Sequence, residues 1–349
     1  MAFLRRDFLR CAALAVLMVL SSASGGAAPR RAPATLNRTN ITVAGVAYTD
    51  AHVFFSRYGF KATWTADGHG LRFQSTKVRI EIEADKRDAE LNGVRVLLGD
   101  PVVARGGILY IARIDAEKLF APVLNPAGVS MPPAPVLRVI VIDPGHGGQD
   151  TGTQNKALKL SEKTFTLDIG LRLRALLLKQ GYKVVMTRSD DRFIPLPDRA
   201  EIANKAGADL FISIHFNSVE GSPVVSGTET YTMTPQFQRS TSTPNSQRDA
   251  GDAMAYPGNR NDPWNAVLGY HIQNQLLGKL DSLDRGLKRA RFAVLRLVNS
   301  PGVLVESGYL SNNAEARKIC TVAYRDDIAQ GIAEGVRAYA LATTTAKAR

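Results

Sequence analysis

The sequence predicts an α/β protein, a mostly parallel sheet flanked by helices, preceded by a small β-rich α+β domain. Three observations carry this. Leu137-Arg-Val-Ile-Val-Ile-Asp-Pro-Gly-His-Gly-Gly148 is an apolar run stopped by a glycine- and proline-rich turn, the pattern of a strand buried on both faces. Beyond it, apolar runs alternate with segments of helical period, which implies a parallel sheet covered by helices. Before it, Lys77-Val-Arg-Ile-Glu-Ile-Glu83 alternates strictly, the mark of a half-exposed strand.

In chain order, Arg5-Arg6-Asp7-Phe8-Leu9-Arg10 precedes an apolar run from Cys11 to Leu20 and a small-residue tract to Ala28. This layout reads as a cleavable export signal over 1–28, and its paired arginines resemble the twin-arginine type. About ten apolar residues are too few to span a bilayer as a mature helix, so no stable membrane span is expected after cleavage. Cleavage would remove Cys11 and leave only Cys320, so no intrachain disulfide is expected. The destination is the periplasm or cell envelope. The formal charge of +12 suits a partner of negative charge. No nucleic-acid-reading motif is present, so export favours an anionic envelope polymer as that partner.

Residues 29–40 read as a flexible lead-in, and 41–124 as a β-rich accessory domain. Within it, Lys61 to Ser75 forms a hairpin about Asp67-Gly-His-Gly70, and Asn92-Gly93 marks a second. Short helices are expected at Ala51–Tyr58 and Asp115–Phe120. The halves 41–75 and 90–124 share an order of strand, short helix and turn that suggests a repeat. This region resembles the module named after the copper amine oxidase N-terminus. Copper is not implied, because His52 and His69 stand without a cluster around them. Asn125 to Pro135, within 125–136, is rich in proline and reads as an extended linker.

The second domain covers 137–343. A helix from Glu162 to Gln180 places Phe165, Ile169, Leu173, Leu176 and Leu177 on one face, with Gly181 as its cap. Strands follow at Tyr182–Thr187, Asp209–His215, Gly227–Thr232, Ala290–Leu295 and Gly302–Glu306. Helices are expected at Asp198–Ala206, Trp264–Leu283 and Tyr324–Ala342.

Ligands of open α/β sheets bind beyond the carboxyl ends of the strands. Three apolar strands end there in titratable residues, His146, His215 and Glu306, and Glu162 begins the helix leaving the first strand. Two histidines and a glutamate suit Zn²⁺ and leave its fourth position open. Glu306 then remains as the base. Singly, each residue has a structural reading: a hydrogen-bonded histidine, a carboxylate complementing a helix dipole, a buried ion-pair partner. Their convergence on one sheet edge is the argument for a site. Asn217 would face the same side as His215 and is a candidate for positioning substrate, although an amide that holds the turn is the commoner role. Arg188 and Arg199 are expected to pair structurally with nearby carboxylates.

Ile142-Asp-Pro-Gly-His-Gly-Gly148, Glu162-Lys163, Ser213-Ile-His-Phe-Asn217 and Val305-Glu-Ser-Gly-Tyr-Leu-Ser-Asn312 together resemble the zinc-dependent N-acetylmuramoyl-L-alanine amidases. The resemblance spans about 137–343, with its blocks in family order. It implies peptidoglycan as partner, zinc held by His146, Glu162 and His215, and Glu306 as the catalytic carboxylate. Some exported members insert a helix before Pro263 that blocks the site until an activator moves it. Here Thr234 onward is polar and irregular, which predicts instead a mobile loop bordering the substrate groove; no activator can be named. Two rival readings stay open: a zinc carboxypeptidase or endopeptidase acting on wall peptides, and a wall-binding protein with an inactive site.

Overall fold

The computed structural model describes residues 39–129, 132–219, 224–241 and 249–347. The expected export signal and nearly all of the lead-in lie outside them. The described residues fall in one compact unit that begins at Arg38.

The β-rich part opens with the hairpin β1 (Asn40–Val43) and β2 (Val46–Asp50), then α1 (Ala51–Ser56). Asp50 caps α1 by accepting from His52 N and Val53 N, which satisfies donors the first helical turn leaves free. A meander follows: β3 (Lys61–Trp64), β4 (Gly70–Gln74), β5 (Arg79–Glu83), β6 (Asp88–Leu91) and β7 (Val94–Leu97). The hairpin β8 (Val103–Arg105) and β9 (Ile108–Ala112) leads to a helical stretch. That stretch runs through α2 (Arg113–Asp115), a π-helical turn (Ala116–Phe120) and α3 (Ala121–Leu124). Two hairpins, each followed by a helix, meet with β2 beside β9, whereas the halves 41–75 and 90–124 differ in element order, with strands on both sides of the helix in the first and only before it in the second.

The Pro-rich segment is not an extended tether. Pro126–Gly128 is a 3₁₀ turn, Val129 and Ala134 pack on the main core, and Trp264 Nε1–H donates to Pro132 O at 2.8 Å. Proline limits backbone bonding, but here apolar contact supplies the order that the backbone lacks.

The second part contributes β10 (Val139–Pro144), a short hairpin β11 (Gln154–Asn155) and β12 (Leu160–Ser161), and α4 (Glu162–Lys179). Next come β13 (Lys183–Met186), α5 (Leu196–Lys205), β14 (Leu210–Asn217) and β15 (Thr228–Met233). The chain ends with α6 (Asp262–Lys279), β16 (Asp284–Ala290), α7 (Ala293–Leu297), β17 (Gly302–Tyr309), α8 (Asn313–Cys320) and α9 (Val322–Lys347). The strand expected at Ala290–Leu295 is a correction: β16 ends at Ala290 and Ala293–Leu297 is helical, burying Val294 and Leu295. A short apolar run fits either period, and packing decided it.

These strands join in the order β13-β10-β14-β17-β15-β16-β7-β6-β5-β4-β3. The neighbours from β13 to β17 are parallel, β15 is antiparallel to β17, and β16 is parallel to β15 and to β7. The β-rich meander therefore extends the same sheet. One sheet face packs α4, α6 and α9 through Ile140, Ile142, Val303, Val305 and their neighbours. On the other face, Val141, Phe211 and Leu304 pack with Val294 and Leu295 of α7. Ala266 of α6 and Leu287 of β16 join the core of the β-rich part.

Candidate metal centre

The site begins with a strained turn. His146 has φ 62°, a left-handed conformation uncommon for a residue with a side chain. Several contacts enforce it. Gly147 and Asp150 exchange backbone hydrogen bonds of 2.9 and 3.1 Å. Arg199, buried, donates to Asp143 Oδ1 at 2.9 Å, Pro144 O at 2.8 Å and His146 O at 2.7 Å. Arg199 thus pairs with a carboxylate as the sequence suggested. Arg188 does not: its donors go to the carbonyls of Pro144, Gly145, Lys163 and Asp190. A turn with several inward carbonyls needs a five-donor fork more than a carboxylate does.

His146, Glu162 and His215 converge, their ligating atoms all within 4.8 Å of one another. His146 Nε2 lies 3.1 Å and His215 Nδ1 3.0 Å from Glu162 Oε1. Donors around a tetrahedral zinc, each about 2.0–2.2 Å from the ion, stand about 3.4 Å apart, so the trio fits such an ion with small adjustment. Glu162 is 2% exposed. Its Oε1 accepts from Phe216 N at 2.9 Å and its Oε2 from Thr153 N at 2.8 Å. Burial alone would raise its pKa, but hydrogen bonds from His146 and His215 hold it well below the usual carboxylate range. Two glycines make room. A Cβ at Gly145 would collide with the His215 imidazole, and one at Gly152 would sit 2.5 Å from His146 Cδ2 and 2.7 Å from Glu162 Oε2.

Sequence reasoning missed Asp150, whose Oδ2 lies 2.9 Å from His146 Nδ1. A carboxylate there fixes the ring and leaves Nε2 directed at Glu162. The signal available was an aspartate four residues after the histidine in the same turn.

Glu306 stands opposite His215 in the register of β14 and β17. It is outside the ligand trio, and its Oε2 is buried without a hydrogen-bond partner among the described residues. Burial, then the charges of Glu162 and Glu229, raise its pKa well above the usual range, against an opposing pull from Lys288. Glu229, also missed, is opposite Glu306 on β15 and 1% exposed. It accepts from Asn217 Nδ2, Tyr231 OH and Lys288 Nζ. Asn217 lines the site, but its amide is engaged, with Oδ1 taken by Ser218 N at 3.0 Å.

A cavity of ≈ 410 Å³ opens over the trio, lined also by Asn217, Phe292 and Glu306. Among the described residues of 234–263 none lines it; residues 242–248 of the expected groove-bordering loop lie outside the described residues. Described residues of that loop pack on the β-rich part. Gln238 Nε2 donates to Asp115 Oδ1 at 2.8 Å, and Arg239 pairs with Asp100 at 2.6 Å. Buried partners far away in sequence gave this polar segment an order that its composition does not announce.

Residues 140–338 match the N-acetylmuramoyl-L-alanine amidase family. The chain belongs to this family of amide hydrolases. It is 35% identical over 233 residues to the amidase AmiA of Escherichia coli K12, covering 58% of this chain and 76% of AmiA. It is 36% identical over 247 residues to the amidase LytC of Bacillus subtilis, covering 71% of this chain and 43% of LytC. Against the amidase AmiC of Escherichia coli O6:H1 the identity is 35% over 220 residues, and the chain spans about half of AmiC's length, 52%. Among solved structures, the catalytic domain of the amidase CwlV from Bacillus (Paenibacillus) polymyxa var. colistinus is 34% identical. That match covers 58% of this chain and 98% of CwlV's domain with a TM-score of 0.47.

Proposed function

We propose that the chain hydrolyses the amide joining N-acetylmuramic acid to L-alanine in peptidoglycan, with zinc held by His146, Glu162 and His215 and with Glu306 as the base. The observation carrying this reading is a three-donor cluster beside Glu306, whose Oε2 is buried without a hydrogen-bond partner among the described residues. When bound, zinc supplies a Lewis acid that lowers the pKa of water toward about 7 and polarises a carbonyl.

Glu306 takes a proton from the water that attacks the lactyl carbonyl and delivers it to the departing L-alanine amine. Its raised proton affinity suits a group that must hold a proton between these two events. Asp150 orients His146, and Arg188 and Arg199 hold the turn that carries it. Asn217 keeps a positioning role: clamped between Glu229 and Ser218 N, it offers the substrate a fixed wall.

Export through the segment 1–28 to the periplasm or cell envelope belongs to the same proposal. No helix among the described residues is long and apolar enough to cross a membrane. Assay of the purified protein on intact peptidoglycan and on free stem peptide tests the activity. Release of whole stems beginning with L-alanine supports it, and trimmed stems would overturn it in favour of a peptidase. Zinc content measured with and without His146 tests the metal assignment.

A further inference from the structure

Register pairs can be followed across the sheet from the site. From His215 the row passes through Glu306, Glu229 and Gly286. The pairing of Leu287 with Val96 sets Gly286 beside Arg95, and the row continues through Glu90, Glu81, Arg72 and Thr63. Paired residues share a face of the sheet. The adjacent row, Val305, Thr230, Leu287, Val96, Ala89, Ile82 and Leu71, is buried throughout. The polar face of the β-rich part and the face bearing Glu306 are therefore one face of one sheet. At about 4.8 Å per strand, Arg95 lies three strands or about 14 Å from Glu306, and Arg72 about 29 Å away.

Over the meander this face is open, forming a trough of ≈ 680 Å³ that Asp284 of β16 closes at the end nearer the site. Cross-strand pairs line it: Arg72 with Glu81 at 3.1 Å and Arg95 with Asp88, while lining Glu90 pairs with Arg79 beside it. Their partly exposed groups offer both N–H donors and carboxylate acceptors to a ligand. The lining carries six carboxylates against two guanidinium groups, in a protein whose formal charge is +12. Phosphate polymers and peptide ends bearing carboxylates are repelled here. A neutral chain of sugars, rich in hydroxyl and acetamido groups, meets no such penalty and can donate to the carboxylates.

We propose that this open face carries the glycan strand of the same polymer whose stem amide is cut at Glu306. The inference rests on the function proposed above; Glu229 and Gly286 between the site and the trough are buried, so the two share a sheet face without forming one open groove. A strand so held is anchored one short span from the bond to be broken.

The test is cosedimentation of the full chain with chitin, a neutral polymer of N-acetylglucosamine without the lactyl carboxylates that stripping bares on wall glycan, beside intact wall and intact wall with its free amines acetylated. The wild type should bind all three. A variant with Arg72→Ala, Glu81→Ala and Glu90→Ala should bind chitin and intact wall about tenfold more weakly, the effect of losing one or two hydrogen bonds. Glu81→Gln and Glu90→Gln, which keep shape and remove charge, serve if the triple variant does not fold, and should weaken binding in the same direction. Unchanged binding by folded variants, or failure of the wild type to bind chitin, would overturn the proposal. Loss of wild-type binding on acetylation alone would also overturn it, in favour of ammonium groups on the peptide. Because binding is read without hydrolysis, a failure of the amidase reading shows separately, as absence of released stems.

Discussion

Asp115 offers the sharpest test of how the two parts of the chain are joined. It is fully buried and sits before the π-helical turn of the β-rich part. It accepts from Gly99 N at 3.1 Å, from Gln238 Nε2 at 2.8 Å and from Arg289 Nη2 of β16 at 2.6 Å. Asp115→Ala would leave Arg289, itself 4% exposed, as a buried cation without its carboxylate. Breaking a buried pair from one side costs about 3–5 kcal/mol. A compact unit of roughly 310 residues has an unfolding entropy of about 0.65 kcal/mol per degree at about 2.1 cal/mol/K per residue. The expected fall in Tm is therefore about 5–8 °C, readable by calorimetry. Glu201→Ala provides the contrast, since its pair with Lys205 is 57% and 74% exposed, and surface pairs contribute little. A fall below about 1 °C for Asp115→Ala, matching Glu201→Ala, would refute the reasoning that this buried pair holds the parts together.

Further outcomes follow from the site and the core. Glu306→Gln should lower amide hydrolysis by about 10²–10⁴-fold, the usual worth of a general base, while zinc content measured by elemental analysis stays at one per chain. Asp150→Ala should weaken zinc binding about 10–100-fold, as removal of a ligand-orienting partner does; competition with a chelating dye would read it. Gly152→Ala should also impair metal binding with the fold retained, because its methyl group falls on His146 and Glu162; circular dichroism and zinc titration together decide this. Burial pushes the His271 pKa down to about 4, so the folded state prefers the neutral ring. The stability that comes with this is complete above the unfolded value near 6.5 and is lost as pH falls toward 4. The loss is about 3 kcal/mol, and urea midpoints of wild type and His271→Gln at pH 7 and 4.5 should show the variant losing less on acidification.

The residues legible in the sequence were those whose position follows from periodicity. His146, His215 and Glu306 end apolar runs, and a parallel sheet collects such ends on one edge. Glu162 was legible because a helix start lies near the same edge. Asp150 was not, since its turn has no period and its role depends on a backbone conformation with φ 62° at His146. Glu229 sits in Thr-Glu-Thr-Tyr-Thr-Met, whose alternation of polar types reads as half exposed, yet both faces are covered. The junction was least legible. Asp115 and Arg289 are 174 positions apart, and the sheet crosses between the parts through the pairing of Leu287 with Val96. No local pattern signals a partner that distant.

The pairing of β7 with β16 also decides where this chain can be divided. A truncation opening at the proline-rich segment would be the natural choice for expressing the hydrolase by itself. It would strip β16 of its neighbour, leaving backbone groups unpaired along a raw edge, and would uncover Ala266 and Leu287 to water. Such an edge is a template for pairing with other copies, so a division that keeps β7 with β16 preserves both the ladder and the apolar cover.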